Sequence, residues 1–111
     1  MFRVIAYDSN TRPPPCVVQK DGEGIAYVEF HFNRKTTAGE VEVYARTESN
    51  APYCAFQDTD GKCNVWVLVD HGNTWPNNTA ITNGDYVLRI RVRGKDGNTR
   101  NGALNFTIKV P

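Results

Sequence analysis

Gly84-Asp85-Tyr86-Val87-Leu88-Arg89-Ile90-Arg91-Val92-Arg93 is followed by Gly94-Lys95-Asp96-Gly97-Asn98, and the chain closes on Leu104-Asn105-Phe106-Thr107-Ile108-Lys109-Val110. The first stretch alternates apolar and charged residues at period 2. The second is a run of turn formers, and the third alternates again. Successive side chains of a strand point to opposite faces, so each alternating stretch has one dry and one wet face. Two such strands joined by a Gly/Asp/Asn loop make a β-hairpin on the edge of a core. The class that follows is an antiparallel all-β domain. No stretch places apolar residues at i, i+3, i+4 and i+7 over three turns, so no helix is predicted.

Working back from the hairpin, further strands are expected. Phe2 to Tyr7 alternates, and Cys16 to Lys20 reads as a short strand. Ile25 to Phe32 sets Ala26, Val28, Phe30 and Phe32 inward and Tyr27, Glu29 and His31 outward. Asn33 to Gly39 reads as a polar turn. Val41, Val43 and Ala45 then alternate with Glu40, Glu42, Tyr44 and Arg46. Asn64 to Val69 is apolar on both faces, the pattern of a covered strand. Asp70 to Asn83 is long and irregular. Between the first strands, Pro13-Pro14-Pro15 is extended and cannot donate to a ladder. Six or seven short strands separated by turns point to a sandwich of about seven strands, formed by residues 1–111 as a single domain.

Composition narrows the classes. The 111 residues leave room for one domain with a core, and 40% hydrophobic with 23% charged residues is globular usage. A net charge of +1 supplies no global field toward nucleic acid or anionic lipid. No apolar run approaches the ~20 residues that cross a bilayer. The opening residues lack a basic leader and a long apolar run, so the chain is expected to be an excised module without a signal peptide. Its expected partners are other domains of the same polypeptide and a protein or glycan ligand, with no nucleic acid, no membrane insertion and no cofactor.

There are three cysteines. Cys54 and Cys63 bracket a short polar loop, and a disulfide across its neck is expected. It would stabilise by roughly 2.5–3 kcal/mol in the chain-entropy model. Disulfides belong to oxidising compartments, so the protein is expected to be secreted or displayed on a cell surface. The alternative is a reduced pair near strand ends. Cys16 is left as a buried thiol or as one that pairs outside this chain.

Five segments in order carry a resemblance: Gly24-Ile25-Ala26-Tyr27-Val28-Glu29-Phe30, Val41-Glu42-Val43-Tyr44, Ala51-Pro52-Tyr53-Cys54, Asn83-Gly84-Asp85-Tyr86-Val87-Leu88 and Gly94-Lys95-Asp96-Gly97-Asn98. Together they resemble the bacterial immunoglobulin-like modules found along surface and secreted proteins. The resemblance implies a non-catalytic spacer, adhesive or accessory role. It also likens Tyr86 to the tyrosine corner of such folds. The chain departs from the pattern in having no cysteine pair between two sheets and in adding the Cys54–Cys63 loop.

Each candidate site has a plain structural counterpart. Arg89, Arg91 and Arg93 share a strand face with Lys109 on the neighbouring strand, which suits a polyanion. The structural counterpart is a charge ladder with Glu40 and Glu42 on an adjacent third strand, at ~0.2–1 kcal/mol per pair. Asp58 and Asp60 resemble the start of a calcium loop, but the position of the EF-hand glutamate is Val69, so only a looser site remains. Cys54, Cys63 and His71 fall short of a zinc set. A nucleophile from Cys16 with His31 or His71 has no local support. Glu29, Glu40 and Glu42 lie on flat faces. Asn105 alternates to the wet side, which argues against an isopeptide bond. The best ligand contacts are Trp75 and Tyr53 with Asn73 and Asn77, since exposed aromatics stack on sugars. The counterpart is Trp75 plugging its own loop. The reading is a structural or adhesive module, with a carbohydrate-binding module or an accessory domain of a secreted hydrolase as alternatives.

Overall fold

The computed structural model describes residues 2–6 and 22–110. The expected strand from Cys16 to Lys20, the proline run and the Cys16 thiol lie outside these residues. The described chain is all-β and antiparallel. Eight strands follow in order: β1 (Arg3–Val4), β2 (Ile25–Thr36), β3 (Gly39–Glu48), β4 (Tyr53–Cys54), β5 (Asp58–Thr59), β6 (Lys62–Cys63), β7 (Gly84–Gly94) and β8 (Thr99–Ile108). The four long ones form a sheet in the order β3-β2-β7-β8. The hairpin that decides the class is β7-β8, paired from Arg93↔Thr99 to Gly84↔Ile108 without a break.

The alternation of β2 and β7 builds the dry face. Val28, Phe30 and Phe32 are fully buried, and Tyr86 and Leu88 join them from β7. β2 runs past Phe32 to Thr36, so the expected polar turn at Asn33–Gly39 shrinks to the tip around Thr37 and Ala38. β2 and β3 shift register between Phe32↔Tyr44 and Asn33↔Glu42, a β-bulge with Val43 as the extra residue. A one-residue insertion moves every later side chain to the other face. Glu40 and Glu42 therefore face outward as expected, whereas Tyr44 enters the core and Ala45 is exposed, the reverse of the plain alternation.

A less regular layer covers the dry face, an arrangement compatible with a β-sandwich. β1 pairs with β4 (Val4↔Tyr53), and Phe2 sets its ring 5.4 Å from Phe32 and 5.5 Å from Phe106. Phe56 and Trp75 lie 5.5 and 5.2 Å from Phe32, so one ring on β2 gathers its neighbours from across the chain. Tyr44 stacks on Phe56 and donates its hydroxyl to Ala55 O at 3.1 Å. The Cys54–Cys63 disulfide closes the loop that holds the β5-β6 hairpin.

Asn64 to Val69 departs from expectation. It is no strand: Trp66 and Leu68 turn inward, while Val65, Val67 and Val69 are 63%, 43% and 61% exposed. The segment finds no ladder among the described residues and ends in a 3₁₀ turn over Leu68–His71. Gly72 in the left-handed region (φ 64°) caps that turn by donating to Leu68 O.

Candidate functional site on the polar face of the main sheet

β2 supplies Glu29, His31 and Asn33 to the wet face because Val28, Phe30 and Phe32 occupy the dry one. β7 places Arg91 beside Glu29 and Arg89 beside His31. β3 places Glu42 beside Asn33 and Glu40 beside Lys35. The result is a shallow depression of about 510 Å³, reaching from Glu40 across His31 to Asn101 on β8.

Its charges are arranged in pairs. Arg89 clamps Glu40 with Nε at 2.8 Å from Oε1 and Nη2 at 2.5 Å from Oε2. Asn33 Nδ2 donates to the same Oε1 at 3.0 Å. Hydrogen bonding by Arg89 first, and by Asn33 second, lowers the Glu40 carboxyl to about 2. The same bonds raise the Arg89 guanidinium. His31 Nδ1 lies 2.6 Å from Glu42 Oε1, and its Nε2 lies 3.7 Å from Glu29 Oε1. Arg91 approaches Glu29 only to 3.8 Å. Glu29 Oε2 and Asn33 Oδ1 are sheltered from solvent without a hydrogen-bond partner among the described residues.

The arrangement corrects one expectation. Arg89 and Glu40 do pair, but β2 lies between their strands, so they are not cross-strand neighbours. The Arg89 side chain reaches over β2 to meet Glu40. Arg93 instead donates to Thr99 on β8 at 3.2 Å. What the face offers chemically is a patch where three carboxylates meet two guanidinium groups and an imidazole, with Arg91 the least committed cation. Sequence reading missed the grouping of His31 with Glu29 and Glu42. The polar positions of β2 were visible, but the strand order that surrounds them was not.

The sequence-predicted ligand contacts are scattered. Trp75 is 3% exposed and Tyr53 is 1% exposed. Both are core residues, so neither ring has a face free to stack on a sugar, a correction to the ligand-contact expectation. Trp75 is driven inward by its own loop: its N–H bonds to Thr79 O, its carbonyl accepts from Asn78 N, and Thr74 bridges Ala80. Asn77 donates Nδ2 to Val43 O at 2.8 Å, tying this loop to the bulge of β3. Asn73 sits at φ 55°, donates its N–H to Leu68 O and accepts from Ile81 N–H. These asparagines serve loop geometry.

Asp58 Oδ2 accepts the Gly61 N–H at 3.2 Å, and Asp60 occupies the turn at φ 51°. No group of three or more His, Cys, Asp or Glu among the described residues is placed to hold a metal ion. Cys54 and Cys63 are bonded to each other, which removes them as zinc ligands. His71 stacks on Trp66 with ring centroids 3.5 Å apart. Tyr86 Oη donates to Thr82 O at 2.6 Å, four residues upstream. No helix of the described residues is long and apolar enough to cross a membrane. Comparison with protein-family models, with curated proteins and with solved structures finds no match to this chain.

Proposed function

We propose that this chain is a non-catalytic immunoglobulin-like module of an extracellular protein, acting as a spacer or as a protein-interaction domain beside other domains of the same polypeptide. The observation that carries the reading is the polar face. Glu40 and Glu42 are held by close neighbours and Glu29 lies beside Arg91 and His31 on an open sheet, where a general acid or base would need a cleft around a substrate. The Cys54–Cys63 disulfide supports an oxidising compartment. The Tyr86–Thr82 tie supports the immunoglobulin-like assignment.

The carbohydrate-binding alternative rests on exposed aromatics, and burial of Trp75 and Tyr53 takes away its platform. A glycan array probed with the wild-type chain and with Arg91→Ala tests the choice. Silence from both is expected. A glycan signal lost in Arg91→Ala overturns the reading in favour of sugar binding. Thiol titration of the unfolded, unreduced chain tests the compartment: one free thiol is expected, and three would remove the extracellular placement.

A further inference from the structure

The two edges of the main sheet, β3 and β8, are built differently. β3 is broken by the bulge at Val43, has Asn77 bonded to that carbonyl, and carries Glu40, Glu42, Arg46 and Glu48. Charges and bulges of this kind blunt an edge against further pairing. β8 has no bulge against β7, and its only charged residue, Arg100, lies near one end. It runs straight against β7, carries no charge from Asn101 to Ile108, and is exposed throughout residues 101–105.

The open hydrogen-bonding groups of β8 can be assigned. Antiparallel ladders alternate, each residue bonding to one side only. At one end Gly94 N–H donates to Asn98 O, and at the other Val110 N–H points the same way, donating to the side-chain Oδ1 of Asn83 just before β7. Even-numbered residues thus face β7, and the odd ones present N–H and C=O to an edge that pairs with no other strand among the described residues. Those odd residues are Thr99, Asn101, Ala103, Asn105 and Thr107. The series Thr-Asn-Ala-Asn-Thr is the same read from either end.

We propose that β8 is a self-pairing edge: two copies of this chain join their β8 strands antiparallel about a two-fold axis at Ala103. Identical strands in antiparallel register are related by a two-fold, so the contact is self-complementary and closed. Ala103 meets its own counterpart, Asn101 meets Asn105, and Thr99 meets Thr107. On the other face Leu104, 48% exposed, falls opposite Gly102 of the second copy. A Cβ at Gly102 would meet nothing within 4 Å, so that position leaves room for the leucine. The two four-stranded sheets become one continuous sheet, with about ten new backbone hydrogen bonds. This inference is independent of the spacer or adhesive reading.

Sedimentation equilibrium of the full chain up to roughly 1 mM, a concentration that detects even millimolar affinity, tests it. The mass is expected to rise from 12.5 kDa toward twice that value. Ala103→Lys sets two ammonium groups face to face at the axis and is expected to remain monomeric. Ala103→Pro removes an outward N–H, which an edge strand tolerates, and is expected to remain monomeric too. Amide exchange in the wild-type chain supplies a readout that does not depend on any variant folding. Asn101, Ala103 and Asn105 should exchange more slowly at ~1 mM than at low concentration, by about twofold or more, in proportion to the fraction of chains paired, while Gly102 and Leu104 stay protected throughout. A wild-type monomer at every concentration overturns the proposal. So does a dimer that survives folded Ala103→Lys, or one that leaves the odd-numbered amides fast.

Discussion

The main sheet and the layer that covers it reach the same dryness by different routes. β2 and β7 bury Val28, Phe30, Phe32, Tyr86 and Leu88 on one face of their ladder, the positions alternation names, although Ile25 at the register shift and Val87 on the opposite face are buried as well. The covering layer has short β1, β4, β5 and β6, and it fills the remaining space with Phe2 beside β1 and with Phe56 and Trp75 from segments of little periodicity. A ladder positions a residue through its neighbours in sequence. The loop positions one through a single large ring and a few backbone hydrogen bonds. The difference teaches that irregular chain can contribute as much core as strand, provided one bulky residue anchors it.

If the two layers are energetically equivalent, Phe32→Ala and Trp75→Ala will each cost ~3–5 kcal/mol, the range for emptying a buried aromatic site. Urea unfolding of both variants measures this. A cost under ~1 kcal/mol for Trp75→Ala would break the comparison and return the loop to the status of surface chain. The disulfide comes next. Replacing Cys54 and Cys63 together by serine should destabilise by roughly 2.5–3 kcal/mol and increase amide exchange in the covering layer before the main sheet. Equal loss in both layers would show that they unfold as one unit. Tyr86→Phe should cost about 1 kcal/mol, the scale of one hydrogen bond from a part-buried hydroxyl, visible as a lowered denaturation midpoint with an unchanged slope.

The smallest effect concerns the polar face. Glu40 is held at about 2 against an ordinary 4.5, so its folded form binds a proton less readily than its unfolded form. The stability this contributes is present above pH 4.5 and is lost as pH falls toward about 2. Glu40→Gln lacks it. The gap between wild type and variant in urea midpoint should therefore narrow across that window and stay constant above it. A gap that widens on acidification would contradict the clamp between Arg89 and Glu40.

The same contrast explains what could be read from sequence. The class, β2, β7, β8, the outward placement of Glu40 and Glu42, and the Cys54–Cys63 bond were legible because alternation, turn residues and loop length are local signals. The side switch at Tyr44 was not, since a bulge at Val43 leaves no mark in the hydrophobic pattern. Asn64 to Val69 was misread because a run apolar on both faces looks the same whether it is covered or half exposed. The polar face was legible one strand at a time. Its assembly depended on β2 standing between β3 and β7, a long-range pairing that no local signal specifies. Trp75 carried both readings, ring on a ligand or ring in the core, and only packing against Phe32, Tyr44 and Phe56 separates them.

The claim that the irregular layer is core is tested most directly by the fluorescence of Trp66→Phe, which leaves Trp75 as the sole tryptophan of the two in the chain. The account predicts blue-shifted emission that iodide barely quenches in the native protein and quenches fully after unfolding. Red-shifted native emission with the same quenching as the unfolded chain would contradict it, and would place that ring in water where a ligand can reach it.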